Sequence, residues 1–197
     1  MSGSPSYLRA VACKCALSGL FTASLAVWSV FFVSAPCELA LPFGVYFAFD
    51  TVTAVALDRI FKPKRQHTSY LEMAHHVVGV VSMYTTPSSD VCMTSYRLVT
   101  VAEFSTPLLY LSNYYRFVLG REAPWALSAT MVYIAWPILR LLAPVVSAYL
   151  QFQGFFGGTG YCGVSQLLII VGYFFMNAYY LSLIRKRHLM NHSAKTK

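Results

Sequence analysis

The chain reads as an all-α integral membrane protein: six transmembrane helices forming a bundle or barrel, with the N- and C-termini on the cytosolic side. Three features point there. Of 197 residues, 57% are hydrophobic and only 11% charged, whereas soluble domains carry about 25% charged residues. Apolar runs near the length that a bilayer crossing needs, about 20 residues, recur along the chain. The basic residues gather at alternate ends of those runs. A core this apolar in water would expose more apolar surface than a soluble monomer tolerates. Composition therefore excludes a soluble enzyme, a disordered tail and a nucleic-acid module, despite a net charge of +8.

The helices follow in order. Residues 15–37 carry no charge and support a first helix over 11–34, expected to act as a signal anchor. The second, 41–60, rests on the run 39–57, which is interrupted only by Asp50. The third, 69–86, is free of fixed charge from Met73 onward and holds His75 and His76. The fourth, 92–115, contains Arg97 and Glu103. From Ala123 to Ile184 the chain is apolar apart from Arg140, too long for one helix. Five glycines between Gly154 and Gly163 divide it into helices over 124–149 and 164–184. Residues 1–10 are then a short cytosolic N-terminus, 11–184 the membrane domain and 185–197 a basic C-terminal tail.

Six crossings put both termini on one side, and the charges agree. Arg9 and Lys14, the 59–65 loop, Arg116 and Arg121, and the C-terminal tail hold all the basic residues except Arg97 and Arg140. The opposite loops, around 35–40, 87–91 and 150–163, hold none. Basic loops stay cytosolic. The expected membrane is the endoplasmic reticulum, with the mitochondrial inner membrane or another organellar membrane as the alternative. Cys37, Cys92 and Cys162 fall in or beside the non-basic loops, where an oxidising lumen lets two of them pair; free thiols are the other possibility.

A charge near the bilayer centre costs about 2.5–3.5 kcal/mol on insertion scales and usually faces a partner or a cavity. Asp50, His75, His76, Arg97, Glu103 and Arg140 are such residues. Helical spacing puts Tyr46, Asp50 and Thr53 on one face of the second helix. It aligns Glu72, a histidine, Gly79 and Ser82 on the third. On the fourth it aligns Tyr96, Thr100, Glu103, Thr106, Tyr110 and Asn113, with a kink expected at Pro107 and Arg97 off the stripe. Three adjacent polar stripes predict one shared interior site. Buried polar residues also simply bond neighbouring helices, for about 1 kcal/mol or less each, and for Arg97 and Arg140 both readings stay open. Glu72-x-x-His75 is half of a di-iron motif, but the second Glu-x-x-His is missing, so no metal is expected.

The order of these features resembles the TLC domain, the membrane module shared by TRAM-type translocon proteins and ceramide synthases. Gly44-Val-Tyr-Phe-Ala-Phe-Asp50 resembles its aromatic Gly-Tyr-Phe…Asp segment, and His75-His76-Val-Val its His-His motif. Glu103-Phe-Ser-Thr-Pro107 is similar to the Glu-x-Ser-Thr-Pro of the non-synthase branch, and Arg140 near Trp136 to a late arginine. The resemblance runs from about Tyr7 to Arg187 and implies lipid handling inside a helical barrel. Counted from His75, the two acids of the synthases fall on Glu103 and Thr106, and their preceding histidine on Ala102.

The expected function is therefore binding or handling of an acyl-chain or sphingolipid-type lipid in an intramembrane cavity, without catalysis. Asp50, His75, His76, Glu103, Thr106 and Arg140 are the expected contacts and membrane lipids the partners, with no cofactor and no nucleic acid. One alternative is an acyl-CoA-dependent N-acyltransferase, with His75, His76 and Glu103 catalytic and acyl-CoA the substrate. Another is an accessory subunit that holds structural lipid beside other membrane-protein subunits.

Overall fold

A computed structural model describes residues 5–61, 70–87, 89–158 and 162–193, apart from the side chains of Leu71, Glu72, His192 and Ser193. Lys62, Lys64, Arg65, Lys195 and Lys197, which the charge argument uses, lie outside these residues, as does the side chain of Glu72. The described chain is about 90% helical, with no strand in it. Helix α1 (Pro5–Phe31) opens on a proline, whose fixed φ suits a first helical position. In α2 (Cys37–Phe61), Glu38 in the first turn and Arg59 in the last complement the helix dipole. Helix α3 is Tyr70–Thr85.

The fourth rod, α4, spans 90–117. It begins as α-helix (Asp90–Thr100), capped by Ser89, whose side chain accepts from the Cys92 N–H at 3.4 Å. It tightens to a 3₁₀ turn (Val101–Ser105) and resumes at Thr106–Phe117. Pro107 explains the tightening: it has no N–H for the Glu103 carbonyl, which instead accepts from Thr106, three residues on. The fifth rod, α5 (Trp125–Gly157), is wound as a π-helix over Met131–Leu142, around Pro137. The Ala143 N–H reaches the Ile138 carbonyl, five residues back. Gly158, at φ +67°, ends α5 in the left-handed conformation that glycine adopts without strain. Helix α6 (Val164–Ser193) completes the chain.

Three boundaries differ most from the sequence reading. Helix α1 begins at Pro5 rather than 11. Helix α5 runs to Gly157 rather than 149, because Gln151 still faces the interior and donates to Ser95 Oγ at 3.0 Å. Helix α6 continues through residues 185–193 instead of ending at 184, since no glycine or proline follows Gly172. Most of the basic tail is therefore helical.

The six rods pack in the order α1–α2–α3–α6–α5–α4 and back to α1, a closed ring whose sparsest seam lies between α3 and α6. Leu39, Phe43, Phe47, Met83 and Met93 fill one end of the interior. Outward, large apolar side chains such as Phe31, Leu41, Val52, Leu168 and Phe175 are exposed, more than a water-soluble surface carries. Among the described residues four helices, α1, α2, α5 and α6, are long and apolar enough to cross a membrane. Helix α3 has only 16 residues, and the 3₁₀ turn interrupts α4.

Cys92 and Cys162 form a disulfide across 70 residues, tying the start of α4 to the segment that leads into α6, while Cys37 is free and exposed. Cross-linking so long a loop restricts the unfolded chain, for about 2–4 kcal/mol. Cys92→Ser is expected to lower the unfolding temperature in detergent to that of the reduced wild type, with no further loss on adding reductant. Thermal scans with and without reductant check this.

Candidate functional site

Two ion pairs organise the interior. On α1, Val11, Cys15, Ser18, Thr22 and Leu25 are buried, and Lys14 turns toward the same side. Its Nζ donates to Asp50 Oδ1 on α2 at 2.7 Å. The same oxygen accepts from Ser18 Oγ at 2.8 Å and from Tyr110 OH on α4 at 2.6 Å. Tyr46 and Tyr110 hydroxyls lie 2.9 Å apart. Because the carboxylate can only accept, the Tyr110 proton goes to Asp50 and Tyr46 donates to Tyr110. Lys14 is thus an interior charge and not, as its place near the N-terminus implied, a flanking one.

The second pair joins α4 to α5. Arg140 Nη2 lies 3.6 Å from Glu103 Oε2, and Thr106 Oγ1 donates to that oxygen at 2.7 Å. Arg140 also donates from Nε to Ser105 Oγ at 2.6 Å, from Nη1 to Asn177 Oδ1 at 3.3 Å, and from Nη2 to Thr106 Oγ1. Its guanidinium sits 4.7 Å from the centre of the Trp136 ring, within cation–π range. Trp136 Nε1 in turn donates to the Asn177 carbonyl at 3.0 Å. The 3₁₀ turn and Pro107 bring Glu103, Ser105 and Thr106 around one guanidinium. Every arm of Arg140 is therefore held, as burial of a charge requires. Arg97 serves differently, donating to the Val33 carbonyl at 2.8 Å.

The histidines divide in role. His76 lies flat on Phe47, ring centres 4.3 Å apart and planes 7° apart, and its Nδ1 pairs with Thr51 Oγ1 at 3.2 Å. His75 makes no hydrogen bond among the described residues and lies 5.4 Å from the Tyr173 ring, centre to centre. Gly79, one turn on, is where Phe47 crosses α3. A Cβ there would meet Phe47 Cε2 at 3.2 Å, tighter than the ring accepts without moving.

Two cavities inside the ring, among the described residues, share walls. One, of about 280 Å³, reaches toward the basic end and is lined by Lys14, His76, Thr106, Asn113, Arg116 and Arg140, among others. The other, of about 470 Å³, extends toward the disulfide end between α3, α4 and α6, with Phe43, Val78, Met83, Val99, Leu168 and Ile170 in its walls. Phe47, His75, Glu103 and Met176 line both and form the junction. The larger volume lies within the range of small-molecule sites, about 300–1,000 Å³. Among the described residues no group of three or more His, Cys, Asp or Glu is placed to hold a metal ion.

The stripes read from helical spacing meet here. On α3, His75, Gly79 and Ser82 line the apolar cavity; on α4, Tyr96, Thr100 and Glu103 line it, and Glu103, Thr106, Tyr110 and Asn113 continue along the polar one. His75, His76, Glu103, Thr106 and Arg140 thus share one cavity wall. Asp50 does not: its carboxylate stands behind Lys14, Tyr46 and Tyr110, which do. Sequence reasoning missed Lys14, Tyr173 and Asn177. Asn177 carried a signal, since it is the one side-chain amide within the apolar run 167–184.

Removing one partner of a buried pair strands the other charge, at about 3–5 kcal/mol. Asp50→Ala is expected to destabilise by that amount, and Lys14→Met with Asp50→Leu to recover most of it, in chemical unfolding followed by tryptophan fluorescence. Asp50→Ala alone leaving the transition unmoved would count against a structural pair. No protein-family model, curated protein or solved structure matches this chain.

Proposed function

We propose that this protein is a six-span membrane protein, TLC-like in architecture, that holds a lipid inside its helical ring without transforming it. The observation that carries this reading is the junction: an apolar cavity and a polar one meet at Phe47, His75, Glu103 and Met176. An amphiphile with an acyl chain needs that pairing of environments, with its chain in the larger space and its polar end beyond the junction. The sparse α3–α6 seam beside the apolar cavity offers a lateral way in from the bilayer.

The orientation follows from charge. Basic residues at one end favour that end in the cytosol, and a disulfide at the other favours an oxidising compartment there. Both suit the endoplasmic reticulum. Membership of a larger membrane assembly is compatible with this reading, because partners would meet the outer faces of the ring and leave its interior as described.

Acyl transfer is the second reading, and His75 is what favours it, lining both cavities with no hydrogen bond among the described residues. A nucleophile or base of this kind is ordinarily oriented by a third group. Glu103, the acid on the same wall, is engaged by Arg140 and Thr106, which favours binding over turnover.

Lipid extraction and mass spectrometry of the protein purified in mild detergent test the proposal. The expected result is a co-purifying lipid, depleted in Gly79→Leu, which crowds Phe47 at the junction, while the variant still unfolds in one cooperative transition. Incubation with acyl-CoA and long-chain amines is expected to give no acylated product. Lipid-free wild-type protein would contradict binding, and acylated product would establish the enzymatic reading. Glycosylation acceptors placed at either terminus are expected to stay unmodified, and one in the 35–40 loop to be modified.

A further inference from the structure

We infer that the polar end of the bound lipid is an anionic phosphate headgroup, held at the basic end of the ring by Lys14, Arg116 and Arg187. This rests on the lipid-holding reading and adds the chemistry of the ligand. The wall of the polar cavity carries four cations, Lys14, Arg116, Arg140 and Arg187, and one carboxylate, Glu103. Glu103 is matched by Arg140, and Lys14 by Asp50, which stands behind the wall. Counting Asp50 with the wall, four cations stand against two carboxylates around this cavity.

Their placement converges. Lys14 comes from α1, Arg116 from the last turn of α4, and Arg187 from the part of α6 beyond the apolar run. All three lie toward the end of the ring where α1 begins and α6 ends. The apolar cavity has no cation in its wall, so the positive charge sits at one end of the chamber only. An excess of one sign in a recess with low-dielectric walls concentrates ions of the other sign. Basic pockets between membrane helices on the cytosolic side suit phosphate headgroups in this way. The guanidinium fork matches phosphate oxygens. Asn113 and Tyr180 on the same wall add neutral polar groups. A headgroup seated here points its chain through the junction toward Val78 and Leu168.

The test compares phosphatidic acid, diacylglycerol of the same chains and inorganic phosphate, each added to delipidated protein in neutral detergent and followed by native mass spectrometry. Phosphatidic acid is expected to bind at least about tenfold more tightly than diacylglycerol, and inorganic phosphate alone to bind weakly. Arg187→Gln and Arg116→Gln are each expected to weaken phosphatidic acid binding about tenfold. Lys186→Gln removes the same charge one residue from Arg187, at a side chain outside the cavity wall, and is expected to change nothing. Thermal unfolding checks each variant; if Arg116→Gln fails to fold, Arg187→Gln against Lys186→Gln decides. Equal binding of diacylglycerol, or equal loss in Lys186→Gln, overturns the headgroup inference and leaves lipid holding intact. Inorganic phosphate binding as tightly as phosphatidic acid overturns it in favour of a soluble phosphate ligand. Failure of both lipids to bind overturns the two proposals together.

Discussion

Charge inside a hydrocarbon layer has to be met on the spot, and in this ring it is met twice by opposite charge from another helix. Lys14 and Asp50 join α1 to α2, with Tyr110 of α4 bonded to the same oxygen. Glu103 and Arg140 join α4 to α5, with Asn177 of α6 completing the arginine's partners. Association in lipid lacks the apolar driving force of water-soluble folding, so packing and interhelical polar bonds carry more of the burden. Five of the six rods are tied by these two clusters. The sixth, α3, is held among the described residues by the His76–Thr51 contact, the stacking of His76 on Phe47, and the bonds from Gln166 to Thr85 and the Ser82 carbonyl. It is also the rod whose seam with α6 is sparsest.

The same pairing explains why polar residues at the junction differ in availability. Glu103 and Arg140 spend their hydrogen-bonding capacity on each other, Thr106, Ser105 and Asn177, and His76 spends its stacking face on Phe47. What they leave is a polar wall of fixed geometry beside an apolar space. His75 is the exception, at the meeting point of the two cavities without a hydrogen bond among the described residues. A wall of this kind orients a ligand's polar end, which is the property that lipid holding requires.

Much of this was legible in the residues because helical periodicity survives in a membrane. The spacing of Tyr96, Thr100, Glu103, Thr106, Tyr110 and Asn113 placed them on one face of α4, and that face lines the chamber even though a 3₁₀ turn interrupts it. Pro107 marked the site of that disturbance. Lys14 was not legible: a lysine near the start of a first helix looks like a flanking charge, and only the side facing Asp50 on α2 reveals otherwise. The overrun of α5 past 149 rests on Gln151 meeting Ser95 of α4, a contact between helices that local sequence does not show. Cys92 and Cys162 stood among three candidates by position alone, and which two meet depends on the ring order, which puts α4 beside α5 and leaves Cys37 outside.

A density map of the protein in lipid nanodiscs, resolved well enough to see side chains, bears on the whole account at once. Elongated non-protein density running from the neighbourhood of Arg187, past His75 and Glu103, to the space between Val78 and Leu168 is the result this account predicts. A ring interior filled by its own side chains, with Glu103 and His75 facing separate neighbours and no density between the helices, would contradict it.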